Sequence, residues 1–293
     1  MTRLCNLRFC FGNGHRIALF CGLIGLIGLG LPGLTPVHAA EIVARPYAAL
    51  QQELDRIEGF EGWPARAEPG HLLRAPHRGD GIAIASHFTG QTPAILTLRD
   101  GGSYDSLSEA RAQAPLRLEV GPPGQGIAIA RHRGFGSNAV FPVGPRGFDR
   151  IDGRGEGSLA ILFDDDQRAV GLLVHADYAD PLGTRPATRG TVEVIVLDRA
   201  GRVLARPVTP VSEGVTALGY QTASGAPLIA GLVLLNTDPG GIAVDDILYA
   251  RAGLMGRAPQ VTPDLRQASW QADRAGLLSR HAEETAQILP LQP

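Results

Sequence analysis

A chain of 293 residues with 44% hydrophobic content is long enough to bury a full core, as one large domain or two small ones. Its formal charge of −2, without a single lysine, argues against nucleic acid or an anionic membrane surface as the partner. Glycine and proline are abundant while aromatics stand at 5%, and the chain reads as many short apolar runs between turn residues, an all-β signature.

Residues 1–40 carry Arg3, Arg8 and Arg16 without an acidic residue, then the apolar run IALFCGLIGLIGLGLPGL, then PVHAA, where Val37-His38-Ala39 resembles an A-x-A cleavage site. The pattern predicts a signal peptide and export to the periplasm or exterior of a Gram-negative bacterium, with no membrane span after cleavage. Cys5, Cys10 and Cys21 are the only cysteines and all lie in this segment, so the exported chain has no disulfide to hold its loops. Removing the three arginines takes the formal charge from −2 to −5.

PYAALQQELDRIEGF (46–60) places Leu50, Leu54 and Ile57 at helical spacing, so 41–57 is expected as a helical lead-in. A sandwich over 58–251 should follow, with strands at 81–88, 94–100, 116–120, 126–132, 158–163, 169–176, 191–198, 202–208, 228–236 and 241–249. LDRAGRVL reads as a hairpin turning at Asp198 and Gly201, and FDDDQRAV as a second, with its three aspartates exposed in the turn. GDGIAIASH (79–87) and GQGIAIARH (124–132) echo one another, which would set His87 and His132 in equivalent, neighbouring places. Residues 252–293 read as a Pro-Gly-rich linker and an amphipathic C-terminal helix over 262–289, either a packed tail or a partner-binding element. The fold class expected is all-β, a two-sheet antiparallel jelly-roll sandwich of the concanavalin or galactose-binding kind, with short terminal helices and monomeric.

The sequence lacks a G-x-S-x-G elbow, an H-E-x-x-H helix, a P-loop and paired zinc cysteines. HRGFGSN (132–138) sets Ser137 in a glycine-rich turn near His132, a nucleophile and base without an identifiable orienting partner. PGGIAVDDILYA (239–250) is more informative, because Asp245 and Asp246 stand in the middle of an apolar strand. Strand alternation sends them to opposite faces, one toward the core, where an unpaired carboxylate costs several kcal/mol. Calcium binds sets of hard oxygens. If the first and last strands of the sandwich are neighbours, Glu61 of EGFEGW, Asp245 and Asp246 could ligate a structural Ca2+, tying the chain ends together as a disulfide would.

GFEG early and GIAVDDILY late resemble the opening and closing elements of MAM domains and of several jelly-roll carbohydrate-binding modules. GIAIASHFTGQ and NTDPGGIAVDDI resemble stretches of exported bacterial proteins. The resemblance implies a structural calcium held by the early glutamate and a late aspartate, on a β-sandwich that binds carbohydrate or another cell-surface partner. The cysteines of MAM domains are missing here, and the aromatic candidates for a sugar platform are Trp63 and Tyr220. The expectation is an exported, non-catalytic, calcium-stabilised sandwich that binds glycan or a cell-surface protein. The alternatives are a polysaccharide hydrolase using a carboxylate pair from among Glu119, Glu156 and Glu193, and a structural envelope protein without a small ligand.

Overall fold

The structure is a computed structural model that describes residues 42–99, 101–176, 190–212 and 214–251. The expected signal peptide (1–40) and C-terminal helix (262–289) lie outside the described residues. The described chain opens with β1 (Ile42–Ala44), α1 (Tyr47–Glu53) and β2 (Arg56–Glu58), then the short strands β3 (His71–Leu72) and β4 (His77–Arg78). β5 (Ile82–Ala85), β6 (His87–Phe88), β7 (Thr92–Thr97), β8 (Ser103–Glu109) and β9 (Leu118–Glu119) lead to the hairpin of β10 (Gly126–His132) and β11 (Ser137–Val143). After them come β12 (Leu159–Gln167), β13 (Ala169–Ala176), β14 (Gly190–Leu197), β15 (Val203–Ala205), β16 (Val208–Val211), β17 (Gly214–Thr222), β18 (Ile229–Asn236) and β19 (Ile242–Tyr249).

Most strands form two large antiparallel sheets, while β6 pairs with β9 and β7 with β8 in separate two-stranded ribbons. One large sheet runs β1-β17-β13-β19-β11-β10-β3, with β2 also paired to β19, and the other runs β15-β14-β18-β12-β5-β4, with β16 on β14. From β12 to β14 and from β17 to β19 successive strands alternate between the sheets, the crossing pattern of a jelly roll. The expected fold class is therefore observed. Between the sheets lie Ile84, Ile129, Leu172, Val194, Leu234 and Val244, all within 1% of full burial. Each such side chain contributes about 1.5–3 kcal/mol on leaving water.

The outer faces are covered as well. Phe88, Ile195 and Val233 pack on one side of the second sheet, Phe135, Phe141 and Ala243 on the first, and Leu50 of α1 seals Leu248. Strands covered on both faces lose the alternation of a half-exposed sheet. That is why β18 reads as an apolar run up to Asn236, and why β19 is apolar apart from Asp245 and Asp246, both strands being buried at every position.

Three sequence expectations are corrected. The helix ends at Glu53, where Leu54 turns extended, and Ile57 lies in β2, paired with Leu248 of β19, which gives the backbone of Arg56–Glu58 its partners in the sheet. FDDDQRAV is not a hairpin: β12 and β13 belong to different sheets, and β12 runs on through all three aspartates to Gln167. The β12–β18 register slips between Leu162 and Gln167, so the aspartates occupy a bulge, where Arg199 binds Asp166 Oδ1 at 2.7 Å and the Phe163 carbonyl at 2.9 Å. His87 and His132 are not neighbours, because β6 pairs with β9 while β10 is in the first sheet. The hairpin at Asp198 forms as read, with β14 and β15 paired and the Asp198 carboxylate accepting the Arg202 amide at 2.8 Å.

Candidate functional site

The aspartate pair sits at a β-bulge. Between the pairs Gly171–Leu248 and Leu173–Asp245, β13 spends one residue, Leu172, while β19 spends two, Asp246 and Ile247. Asp246 takes the left-handed conformation, φ +49°, which short polar side chains tolerate. Val244 and Ile247, three residues apart, consequently both enter the core. The expected opposite-face arrangement is thus corrected: the bulge breaks the alternation and both aspartates are buried, Asp245 fully and Asp246 to 6% exposure. Their carboxylates converge, for a Cβ at Gly59 would stand 3.5 Å from Asp246 Oδ1 and 3.7 Å from Asp245 Oδ1. Ser137 donates to Asp245 Oδ2 at 2.6 Å, the Asp246 amide to Asp245 Oδ1 at 2.8 Å, and the Tyr47 hydroxyl to the Asp246 carbonyl at 2.8 Å.

The loop after β2 lies against this pair. Phe60 is left-handed, φ +60°, with its amide on Glu58 Oε1 at 3.0 Å, and its carbonyl closes a turn by accepting the Trp63 amide at 3.1 Å. Asn138, next to Ser137 on β11, clamps the turn from inside. Its side-chain amide donates to the carbonyls of Phe60 at 3.1 Å and Trp63 at 2.9 Å, and its backbone amide donates to Glu61 Oε1 at 3.0 Å. Asn138 Oδ1 is buried and accepts no hydrogen bond among the described residues.

The structure therefore brings Asp245 and Asp246 together, while the exposed Glu61 is linked to them through Asn138 and Ser137. Among the described residues no three acidic, histidine or cysteine side chains form a group that could hold a metal ion. The groups brought together beside Gly59 are the oxygens of two carboxylates, and Asn138 on β11 carries a further buried oxygen, Oδ1, in the layer that clamps the turn. That is the chemistry a hard cation takes.

On the solvent side the turn carries Trp63. Two adjoining clefts flank its ring, one of about 440 Å³ lined by Glu58, Phe60, His77 and Arg78, the other of about 460 Å³ lined by His71, Leu73 and Arg74. Trp63 and Pro76 line both. The indole Nε1–H donates to His77 Nδ1 at 3.1 Å, which leaves the imidazole proton on Nε2, 3.4 Å from Glu58 Oε1. His71 and Phe60 pack on this cluster, with ring centroids 5.8 Å from Trp63 and 5.2 Å from His77 respectively. The indole is thus fixed in orientation and half-buried, one part packed against the core cluster. Tyr220, the other aromatic candidate, is buried in the core.

The catalytic alternatives find little support. Ser137 is paired across the hairpin with His132, but its proton goes to Asp245, and His132 Nδ1 is engaged by Glu68 Oε1 at 2.7 Å. Both are almost fully buried, beneath Phe135 and beside His175, whose ring centroid is 4.7 Å from that of His132. Burial, together with neighbouring His132, pushes the His175 pKa down to about 4. Glu119 is engaged by His87 at 3.5 Å, Glu193 by Arg206 at 2.6 Å, and Glu156 is buried. None of the three lines either cleft.

The sequence pattern does not single out His71, Arg74, His77 and Arg78 as groove residues. They come together through β3, β4 and the connection between them, and two-residue strands leave no periodic signal.

No family model and no curated protein matches this chain. Solved structures similar to it include three single-site variants of CBM29-2, described as a family 29 carbohydrate-binding module, each 9% identical in sequence. They cover 52%, 54% and 59% of this chain and 96%, 91% and 99% of their own, at TM-scores of 0.27, 0.26 and 0.27.

Proposed function

We propose that this chain is an exported, non-catalytic β-sandwich that binds a cell-surface or extracellular glycan in the groove around Trp63. The observation that carries the reading is a half-buried indole, locked by His77, lining two adjoining clefts of about 440 and 460 Å³. An aromatic face offers an apolar platform to the C–H side of a sugar ring, and the polar groups beside it match ring hydroxyls. His71, Arg74 and Arg78 supply such groups. The reading as non-catalytic is supported by the hydrogen-bonded state of Ser137 and by the absence of Glu119, Glu156 and Glu193 from both cleft linings.

Calcium belongs to the same proposal. Asp245, Asp246 and Asn138 Oδ1 would hold it with the turn carbonyls, and Glu61 through its link to Asn138. Bound there, the ion would supply charge neutralisation and a cross-link between β19, β11 and the turn that presents Trp63.

Affinity electrophoresis through gels containing plant, algal and bacterial polysaccharides tests the reading. Retardation by at least one polysaccharide, abolished in Trp63→Ala, is expected. Unretarded migration across the panel, or retardation unchanged in Trp63→Ala, would overturn it.

A further inference from the structure

The charges at the groove define the glycan further. Each cleft holds one exposed arginine, Arg78 in the first and Arg74 in the second, on either side of the shared Pro76. Neither takes part in an ion pair or side-chain hydrogen bond among the described residues. Arg45, Arg199, Arg202 and Arg206 are engaged by Glu53, Asp166, Asp198 and Glu193, whereas the exposed Arg66, Arg99, Arg111, Arg117, Arg131 and Arg133 are as free as the groove pair among the described residues; what sets Arg74 and Arg78 apart is their place in the cleft linings. The one carboxylate lining the groove among the described residues, Glu58, is 13% exposed and already committed to the Phe60 amide and His77. A molecule with a formal charge of −2 therefore presents, on both sides of its platform, unneutralised guanidinium groups. A guanidinium offers a fixed fork of donors that fits carboxylate and sulfate oxygens.

From this geometry we infer that the ligand is an anionic glycan whose sugar ring stacks on Trp63 while its charged substituents meet Arg74 and Arg78. The inference rests on the Trp63 reading and narrows it. Arg74 and Arg78 are four residues apart, so their Cα atoms are separated by at most about 13 Å, and one oligosaccharide can engage both. A carboxylate of a uronic acid and a sulfate ester share the required chemistry.

Isothermal titration of the full chain with three probes tests this: an oligogalacturonate, a sulfated galactan oligosaccharide and a neutral cello-oligosaccharide. One or both anionic probes should bind more tightly than the neutral one, and the tighter of the two identifies the group recognised. Affinity should fall as salt is raised, since exposed charge pairs are screened. In Arg74→Gln and Arg78→Gln, exposed positions whose loss leaves the core intact, affinity for the anionic probe should drop about tenfold each. Binding of the neutral probe through Trp63, as tight as that of either anionic one and indifferent to salt and to both arginine substitutions, would overturn the inference and leave the Trp63 reading standing. Binding of none of the three, with no retardation by any polysaccharide, would remove both.

Discussion

Asn138 holds Trp63 by its backbone: the asparagine side-chain amide donates to the Trp63 carbonyl at 2.9 Å across 75 residues of sequence. The same amide binds Phe60, and the neighbouring Ser137 binds Asp245. The buried aspartates and the half-buried indole are consequently parts of one construction. Asn138→Ala removes two hydrogen bonds and takes from the Trp63 carbonyl its asparagine donor, while the Phe60 carbonyl keeps the Trp63 amide, at a cost of about 1–3 kcal/mol. Urea unfolding should show that loss, and glycan affinity should fall with it. Unaltered stability and affinity would mean that the turn holds its own shape.

Calcium should raise the thermal midpoint. At a hundredfold excess over Kd a ligand specific for the folded state adds about 2.7 kcal/mol. Melting in millimolar calcium and again in EGTA should therefore separate the curves, and Asp246→Ala should merge them. Curves that coincide in the native chain would show that Asp245 and Asp246 are held by hydrogen bonds alone.

Glu156 and His175 should give pH dependences of opposite sign. Burial, with the fields of Asp152 and Asp238 adding to it, pushes the Glu156 pKa from 4.5 up to about 8. The folded chain then keeps a proton that the unfolded chain has released, so stability present below pH 4.5 is lost as pH rises toward about 8. Glu156→Gln should flatten the decline of the midpoint between pH 6.5 and 8; an unchanged slope would place the titrating group elsewhere.

His175 acts in the other direction. Its pKa is lowered from 6.5 to about 4, so the stability it contributes is full above pH 6.5 and is lost as pH falls toward 4. His175→Phe keeps a ring beside His132 and Phe135 and should remove that acid-side loss. A variant whose midpoint falls as steeply as the native one between pH 6.5 and 4 would contradict the assignment.

Much of the sandwich is legible in the sequence because its strands are runs of β-branched and small apolar residues bounded by glycine. GIAIARH and AVGLLVHA are strands with the expected ends. SNAVFPV, the strand β11, is not legible as one, since an internal proline argues against a central strand. Pro142 is tolerated because it faces Ile127 at a position without ladder bonds: the Ile127 carbonyl accepts from Leu73, and that of Pro142 from Gly155.

The site is legible in its parts and not in its geometry. Trp63, Asp245 and Asp246 stand out as a tryptophan and two carboxylates in an apolar setting. Their relation depends on the bulge at Asp246, on the left-handed Phe60 and on Asn138, and none of these can be deduced from residue type. A bulge inserts one residue and reverses the face of every later residue in the strand, so an alternation argument fails there by construction.

The most direct test of the account reads Trp63 itself. The sequence has two tryptophans, so Trp270→Phe leaves Trp63 as the only indole. Its fluorescence is followed while the polysaccharide that retards the protein is titrated in. The account predicts a saturable blue shift and protection from acrylamide quenching, with the same midpoint as binding measured calorimetrically. Full binding with the Trp63 emission and its quenching unchanged would place the ligand elsewhere on the sandwich and contradict the account.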